Sequence, residues 1–482
     1  MPYLLGIDQS TSGTKALVFD EKGNILGRED RQHQQKISQE GWVSHDPEEI
    51  WGNTLLAAAD VLRQTKIDQN EICAMGISNQ RETALVWERE TGRPVEDAVV
   101  WQCTRGAEIC EKLKDKSQLI YRTTGLPLSP YFSAAKIAWI LNRIGSKRAG
   151  LCAGTVDSYL IYRLTEGASF HTDYSNASRT QLLNLNTLKW DVQMCGLFGI
   201  DPRMLPEICD SNSNFGMTDL NGILNHKIPI HGVLGDSHGA LYGQGCHKPG
   251  TVKATYGTGS SVMMNIGDQP VFSKHGLATS LAWCMDGKAT YVLEGNINYT
   301  GAVIRWITEL GLISNPKESG RIAQCANPED TTYLIPAFTG MGAPYWDDQA
   351  QAAWIGMTRK TGKKELVKAA EESIAYQISD VLSAMKKDTE MNISEVRADG
   401  GPSKDSYLMQ FQSDILQTPV SVSQMEEFSA VGPVFAAGIA VGVYSKTIFD
   451  QIERVRFLSK MDNKDRLKRL QGWKNAVEKV LT

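Results

Sequence analysis

The sequence predicts an α/β protein made of two similar domains that face each other across a cleft, and three observations carry that prediction. The chain has 482 residues, whereas single hydrophobic cores stop growing near ~250–300 residues. Its first hundred residues read strand, strand, helix, strand, the order of a mixed sheet covered by helices. A Gly/Thr turn between two strand-like runs in "GIDQSTSGTKALVF" returns in "VKATYGTGSSVMMNIG", with Thr11 and Thr258 standing 247 positions apart, close to half the chain.

Taken in order, "YLLGID" and "ALVFD" flank the first turn, and "CAMGIS" and "TALVWE" follow as further strand-like runs. Between the two pairs, "PEEIWGNTLLAAADVLRQT" places its apolar residues at helical spacing behind an Asp-Pro start, which predicts an amphipathic helix. From Thr104 to Gly222 the pattern is mostly helical with loops, as in "SAAKIAWILNRI", and predicts an insertion that shapes a substrate pocket rather than a repeat of the sheet. "IPIHGVLGDSHGALYGQG" reads as a strand ending at Asp236, then a helix of small residues. A second small-residue helical segment, "VGPVFAAGIAVGVY", recurs near residue 440. The division falls at Lys248-Pro249-Gly250, giving an N-terminal domain over 1–247 and a C-terminal domain over 248–482.

Composition excludes several classes. With 41% apolar and 22% charged residues the chain is neither disordered nor collagen-like. The net charge is −5 and no long basic or acidic block occurs, so neither nucleic acid nor a membrane surface is an expected partner; small solutes are. Nine Cys are scattered without a C-x-x-C pair, as expected of buried free thiols in a reducing compartment. "MPYLLGIDQ" lacks the features of a signal peptide, and no apolar run approaches the ~20 residues that span a bilayer. A cytoplasmic protein is expected.

A turn of Gly, Thr and Ser offers backbone N–H groups and hydroxyls to an anion without fixed charge. A tight hairpin needs the same residues for its own geometry, so one such turn is ambiguous. A turn in each domain suits the phosphates of one nucleotide gripped from both sides, with Lys15 adding charge beside the first. Neither turn is a P-loop, because G-x-x-x-x-G-K-[ST] does not occur. In "ADGGPSKDSYLMQFQSDIL", Asp399-Gly400-Gly401 forms either a corner where backbone approaches a flat ligand or an ordinary strand–helix turn. Asp236 either faces the cleft from a strand end or caps the helix that follows. Arg81-Glu82 in "SNQRETALVW" is either a surface ion pair, worth little, or a set of donors and acceptors for hydroxyls in the cleft.

The stretches "GIDQSTSGTKALVFD", "GWVSHDPEEIW", "SNQRETALVWE", "PYFSAAKIAWIL", "TYGTGS", "IPAFTGMGAPYWD" and "DGGPSKDSYLMQFQSDIL" resemble the FGGY family of carbohydrate kinases over essentially the whole chain. They are most similar to its glycerol kinase branch. The resemblance implies two ribonuclease-H-like domains of the actin-like ATPase fold around a central cleft. It also implies ATP-dependent phosphorylation of a terminal hydroxyl of a small polyol, glycerol first, with ATP as co-substrate, Mg2+ as metal and a homodimer or higher homo-oligomer. Residue by residue, it implies Asp236 as general base. Arg81, Glu82 and Tyr131, with Trp101 near them, match polyol-binding positions. Thr11, Ser12, Gly13 and Lys15 match the first phosphate turn, and Gly257 and Thr258 the second. Gly301, Arg305, Gly401 and Asp405 fall where the family holds the nucleotide, and Asp8, with Asp236, where it holds Mg2+.

The departures from that branch cluster where substrate is chosen. The branch's Gly-Asp-Gln-Gln is here Gly235-Asp236-Ser237-His238, and its aromatic residue after the second turn is Ser261. Milder changes, Lys15 for Arg, Arg305 for Gln and Asp405 for Asn, lie on the nucleotide side. The pocket is expected to be wider and wetter at Ser237 and Ser261, which keeps open a four- or five-carbon polyol or a ketose such as xylulose. A nucleotide-driven binding protein of the same fold is a third reading, in which Arg81, Glu82 and Tyr131 have no use.

Overall fold

The structure, a computed structural model, describes every residue except Lys147. The first turn joins β1 (Tyr3–Gln9) to β2 (Gly13–Phe19), which pair antiparallel with Asp8 opposite Lys15. Both strands are apolar and buried along nearly their whole length, as strands covered on both faces must be. β3 (Ile25–Gln32) alternates between half-buried and exposed residues and closes the edge. The amphipathic segment forms α1 (Pro47–Thr65), started by the Asp46 carboxylate, which accepts the Glu48 N–H, and by Pro47 in the first turn. β4 (Ile72–Asn79) then runs parallel to β1.

"TALVWE" is a strand, Ala84–Glu88, but it leaves this sheet and pairs with Leu151–Thr155 and Ala98–Val99 in a separate five-stranded sheet. The insertion carries the expected helices, among them Ser133–Ile144 and Val156–Leu164. It is not purely helical, because β5 (Asn214–Thr218) returns to the edge of the first sheet beside β6 (Ile228–Gly235). β6 ends one residue before Asp236, which opens α2 (Asp236–Gly243).

The second half repeats the plan with β7 (Thr251–Tyr256), β8 (Ser260–Gly267), β9 (Ala278–Met285), β10 (Lys288–Ile297), α3 (Gly301–Glu309), α4 (Lys363–Thr389), β11 (Glu395–Asp399), α5 (Ser406–Leu416), β12 (Val420–Ser423), α6 (Phe428–Ala440) and β13 (Arg454–Phe457). The two sheets run β5-β6-β4-β1-β2-β3 and β9-β10-β8-β7-β11-β12-β13. In each, a turn-bearing hairpin gains a third antiparallel strand on one side, β3 or β10. Its first strand gains two parallel strands on the other, β4 and β6 or β11 and β12. This is the duplicated ribonuclease-H-like pattern of the actin-like ATPase fold.

The two small-residue helices, α2 and α6, each follow the last parallel strand of their own half, and they pack on each other. A Cβ at Gly239 would lie 2.6 Å from the Ser429 carbonyl oxygen, and one at Gly432 would collide with the Gly239 carbonyl. Their composition is therefore the requirement of two helix backbones in contact; overpacking such a seam costs roughly 1–3 kcal/mol. α6 also lays Val431, Val434 and Phe435 on Leu4, Ala74 and Leu234 of the first sheet, in a cluster that includes Met263 and Val292 of the second. One apolar seam thus binds the halves behind the cleft. All nine cysteines are free, and no helix among the described residues is long and apolar enough to cross a membrane.

Candidate active site

Between the halves lies a cleft of about 1530 Å³. The first half contributes the turn residues Thr11, Ser12, Gly13 and Lys15 and, deeper, Arg81, Glu82, Trp101, Tyr131, Asp236 and Ser237. The second half contributes Gly257, Thr258 and Ser261. An adjoining cavity of about 810 Å³ shares Lys15 and Thr255 with the cleft and has Gly401 in its wall. Asp8 is buried under the first turn. Gly301, Arg305 and Asp405 lie outside the lining of both cavities.

The first turn is closed by the Ser10 N–H on the Gly13 carbonyl at 2.8 Å. Its Thr11 hydroxyl accepts the Trp101 Nε1–H at 2.9 Å, and Trp101 packs edge-on against Tyr131, ring centroids 5.4 Å apart. The loop carrying Tyr131 is gathered by the buried Lys136 ammonium, which donates to the carbonyls of Pro130, Tyr131 and Phe132. The turn and the aromatic wall are therefore one hydrogen-bonded unit.

The cleft floor is an ion network. Arg81 and Glu82 are not paired with each other. Arg81 Nη1 and Nη2 donate to Glu294 Oε2 and Oε1 at 2.9 and 2.8 Å, and Arg179 Nε donates to Glu82 Oε1 at 2.6 Å. Arg179 Nη1 also lies 2.9 Å from Glu294. Burial alone would raise the Glu294 carboxyl, but Arg179 and Arg81 outweigh it and hold it well below the usual carboxylate range. Glu82 has φ of 60°, a left-handed conformation uncommon outside glycine. It turns the chain so that residues 81 and 82 reach different partners.

Asp236 stands on this floor. Its Oδ1 lies 3.2 Å from Arg81 Nε and accepts the Ser237 N–H at 2.6 Å, while its side chain remains about one-third exposed, at 33%. It is the first residue of α2, not its N-cap, which is Gly235, so its carboxylate satisfies one N–H of the helix's first turn while remaining open to the cleft. His238, the next departure in the sequence, turns into the buried layer, where burial and the nearby Arg81 hold it neutral, well below its ordinary pKa. Ser237 and Ser261 do line the cleft. Behind Ser261, the buried Lys253 Nζ approaches its Oγ at 3.4 Å, and the same Oγ lies 3.5 Å from Glu294 Oε1. Burial pushes Lys253 below its ordinary pKa, with Asp399 and Glu294 opposing.

The second turn is closed by Gly257 N–H on the Gly259 carbonyl at 2.8 Å and sits on the start of α3, where Gly301 N–H donates to the Gly257 carbonyl at 2.9 Å. Asp405 caps α5 through the Tyr407 and Leu408 N–H groups and accepts the Gly320 N–H, so its carboxylate fixes the joint between two segments. Arg305 is exposed on α3. Beside the first turn, burial raises the Asp8 carboxyl against the opposing Lys15 ammonium and the Ser78 hydroxyl, which donates at 2.6 Å. Asp236 is near enough to Asp8 for its charge to add to that rise, and no group of three or more metal-ligating side chains occurs among the described residues. Such a donor set fits Mg2+, which takes one or two carboxylates and completes its shell with phosphate oxygens and water.

Two family models match one half of the duplicated fold each: the N-terminal domain of the FGGY family of carbohydrate kinases matches residues 3–243, and its C-terminal domain residues 252–441. The chain belongs to the FGGY family of carbohydrate kinases. Among other FGGY kinases it is 48% identical to glycerol kinase 1 of Thermotoga maritima across the whole of both chains. It is 42% identical to a glycerol kinase of Natranaerobius thermophilus, covering 99% of this chain and 98% of that one. The solved structure of Plasmodium falciparum glycerol kinase with ADP superposes with a TM-score of 0.94 at 35% identity, covering 100% of this chain and 99% of that one.

Proposed function

We propose that this FGGY kinase transfers the γ-phosphoryl group of ATP to a terminal hydroxyl of glycerol, with Asp236 taking the hydroxyl proton. The observation that carries the reading is the placement of Asp236. It stands at the end of β6, anchored by Arg81 and accessible from a cleft that both turns line. Phosphoryl transfer needs little covalent help from the protein and much positioning and charge stabilisation. Thr11, Ser12, Gly13 and Lys15 on one side and Gly257 and Thr258 on the other would surround the phosphates. Glu82, Trp101 and Tyr131 would fix the polyol against the floor, while Arg81 orients Asp236. Mg2+, held with Asp8 and Asp236, would offset negative charge on the phosphate oxygens. Gly301, Gly401, Asp405 and Arg305 would shape the nucleoside side. The natural division of labour is 1–247 for the polyol and 248–482 for the nucleoside, with α6 crossing back to the first sheet.

A second reading, a four- or five-carbon polyol or a ketose, is favoured by one observation: Ser237 and Ser261 both present small hydroxyls to the cleft. ADP release measured over glycerol, tetritols, pentitols and ketopentoses separates the two. The highest kcat/KM for glycerol is expected. A longer substrate preferred over glycerol replaces the first reading with the second, and no acceptor-dependent ADP release with any of them overturns both.

A further inference from the structure

Beyond the residues just assigned, we propose that Glu427 is a positioning residue for phosphoryl transfer, its carboxylate holding the Lys15 ammonium at the junction of the cleft and the adjoining cavity. This rests on the reading of Lys15 as a phosphate contact. Glu427 occupies the N-cap position of α6, yet its side chain caps nothing there. It accepts instead from Lys15 Nζ at 2.6 Å and from Arg28 Nη1 at 2.5 Å, partners 412 and 399 positions away. Its backbone has φ of 62°, a conformation that costs a side-chain-bearing residue energy and persists where packing imposes it. Here α6 is locked between α2 and the first sheet, and its entry aims the carboxylate at β2 and β3.

The carboxylate is only 13% exposed and lies in the wall of the smaller cavity, while Lys15 lines both. Among the described residues, the other acid within ion-pair distance of Lys15 is Asp8, at 3.7 Å. Burial would lower the Lys15 pKa, but Asp8 and Glu427 outweigh it, so the ammonium stays charged. Arg28 is held on its other edge by Asp30, so Glu427 separates two cations that would otherwise repel. Without its charge, Lys15 closes onto Asp8 and leaves the phosphate turn. The second half of the chain thereby sets the cation under the turn of the first.

The test is a double-mutant cycle with Glu427→Gln, Lys15→Met and the combined variant, plus Glu427→Asp as the conservative replacement. For Glu427→Gln we expect kcat to fall and the KM for ATP to rise, each by about tenfold, the order of one charge-assisted hydrogen bond. The KM for glycerol should stay unchanged. Glu427→Asp should recover part of the loss, and the combined variant should be no worse than Lys15→Met. Additive losses, or KM values for both substrates rising together with a lowered Tm, overturn the proposal. If Lys15→Met weakens ATP use and Glu427→Gln does not, the proposal fails and the reading of Lys15 stands. If Lys15→Met leaves ATP use unchanged, both fail. Should Glu427→Gln not fold, Glu427→Asp in the same cycle makes the same test.

Discussion

The floor of the cleft and the two turns at its rim meet their ligands with opposite chemistry. The floor is fixed charge: Arg81, Arg179, Glu82 and Glu294 are all at most 5% exposed and are bound to one another. The turns themselves are mostly neutral donors, backbone N–H groups and the hydroxyls of Thr11, Ser12 and Thr258, with the Lys15 ammonium beside the first. The difference assigns a task to each. A neutral polyol needs groups held in place, and mutually satisfied ions supply rigidity without offering an unpaired charge to the wrong ligand. A nucleotide's phosphates arrive with their own charge and counter-ion, and many neutral donors accommodate them without trapping the product.

The sharpest way to break this comparison is to remove the one floor group that faces the cleft with a free task. Asp236→Asn keeps the size and the Arg81 side of the contact but cannot accept the hydroxyl proton. Loss of a general base typically costs ~10²–10⁴ in rate, so kcat should fall within that range while ATP binding, followed by titration with a fluorescent analogue, stays near the native value. Wild-type turnover would remove Asp236 from the mechanism.

Glu294→Ala asks whether the floor is a rigid support. Removing one partner of a buried pair leaves uncompensated charge and costs about 3–5 kcal/mol; here two guanidinium groups lose their common carboxylate. Urea unfolding should show a loss of that size, with the melting temperature falling in step. A loss below about 1 kcal/mol would mean that the network is hydrated and soft.

The same contrast explains what could be read from the chain. The turns, α1, and the strand–corner–helix around Gly401 are local, so spacing within a few residues reveals them. The floor is assembled across 97 and 213 positions, and no local pattern pairs its members. Glu294 was visible as an acid inside the apolar run "YVLEGNI", and Lys253 as a base inside "TVKATY". A buried charge in a strand has meaning only once its partner is known, and Arg179 in "NASRTQ" gives no such hint. Arg81 and Glu82 were legible as candidates for the cleft, which both line, but not as members of two different pairs. "TALVWE" was legible as a strand, but not that its partner would be Leu151–Thr155, because pairing is chosen by which edge the insertion returns to.

Between floor and rim lies the wall, and its two serines sharpen the comparison. Ser237→Gln combined with Ser261→Phe replaces small hydroxyls by an amide and an apolar ring. Each CH₂ buried against the ring is worth roughly 0.8 kcal/mol and the amide's hydrogen bond about 1 kcal/mol net. Together they should raise kcat/KM for glycerol relative to four- and five-carbon substrates by roughly one to two powers of ten. Replacing Ser261 would also remove the hydroxyl that lies between Lys253 and Glu294. If the wild type already favours glycerol by that margin and the double variant does no better, the wall is not where length is judged.

The smallest effect belongs to the rim, and it tests whether a neutral turn can be tuned by its support alone. Gly301 begins α3 directly beneath the second turn, and a Cβ there would lie 2.8 Å from the Gly257 carbonyl oxygen. That oxygen is backbone and already accepts the Gly301 N–H at 2.9 Å, so the turn itself must shift to admit a methyl group. Overpacking of this kind costs about 1–3 kcal/mol. At the low end, Gly301→Ala should raise the KM for ATP about fivefold, with kcat and the KM for glycerol unchanged. Steady-state kinetics with each substrate varied separately reads this directly. A rise in the glycerol KM instead would show that rim and floor move as one body, and an unchanged ATP KM would show that the second turn does not depend on α3 for its shape.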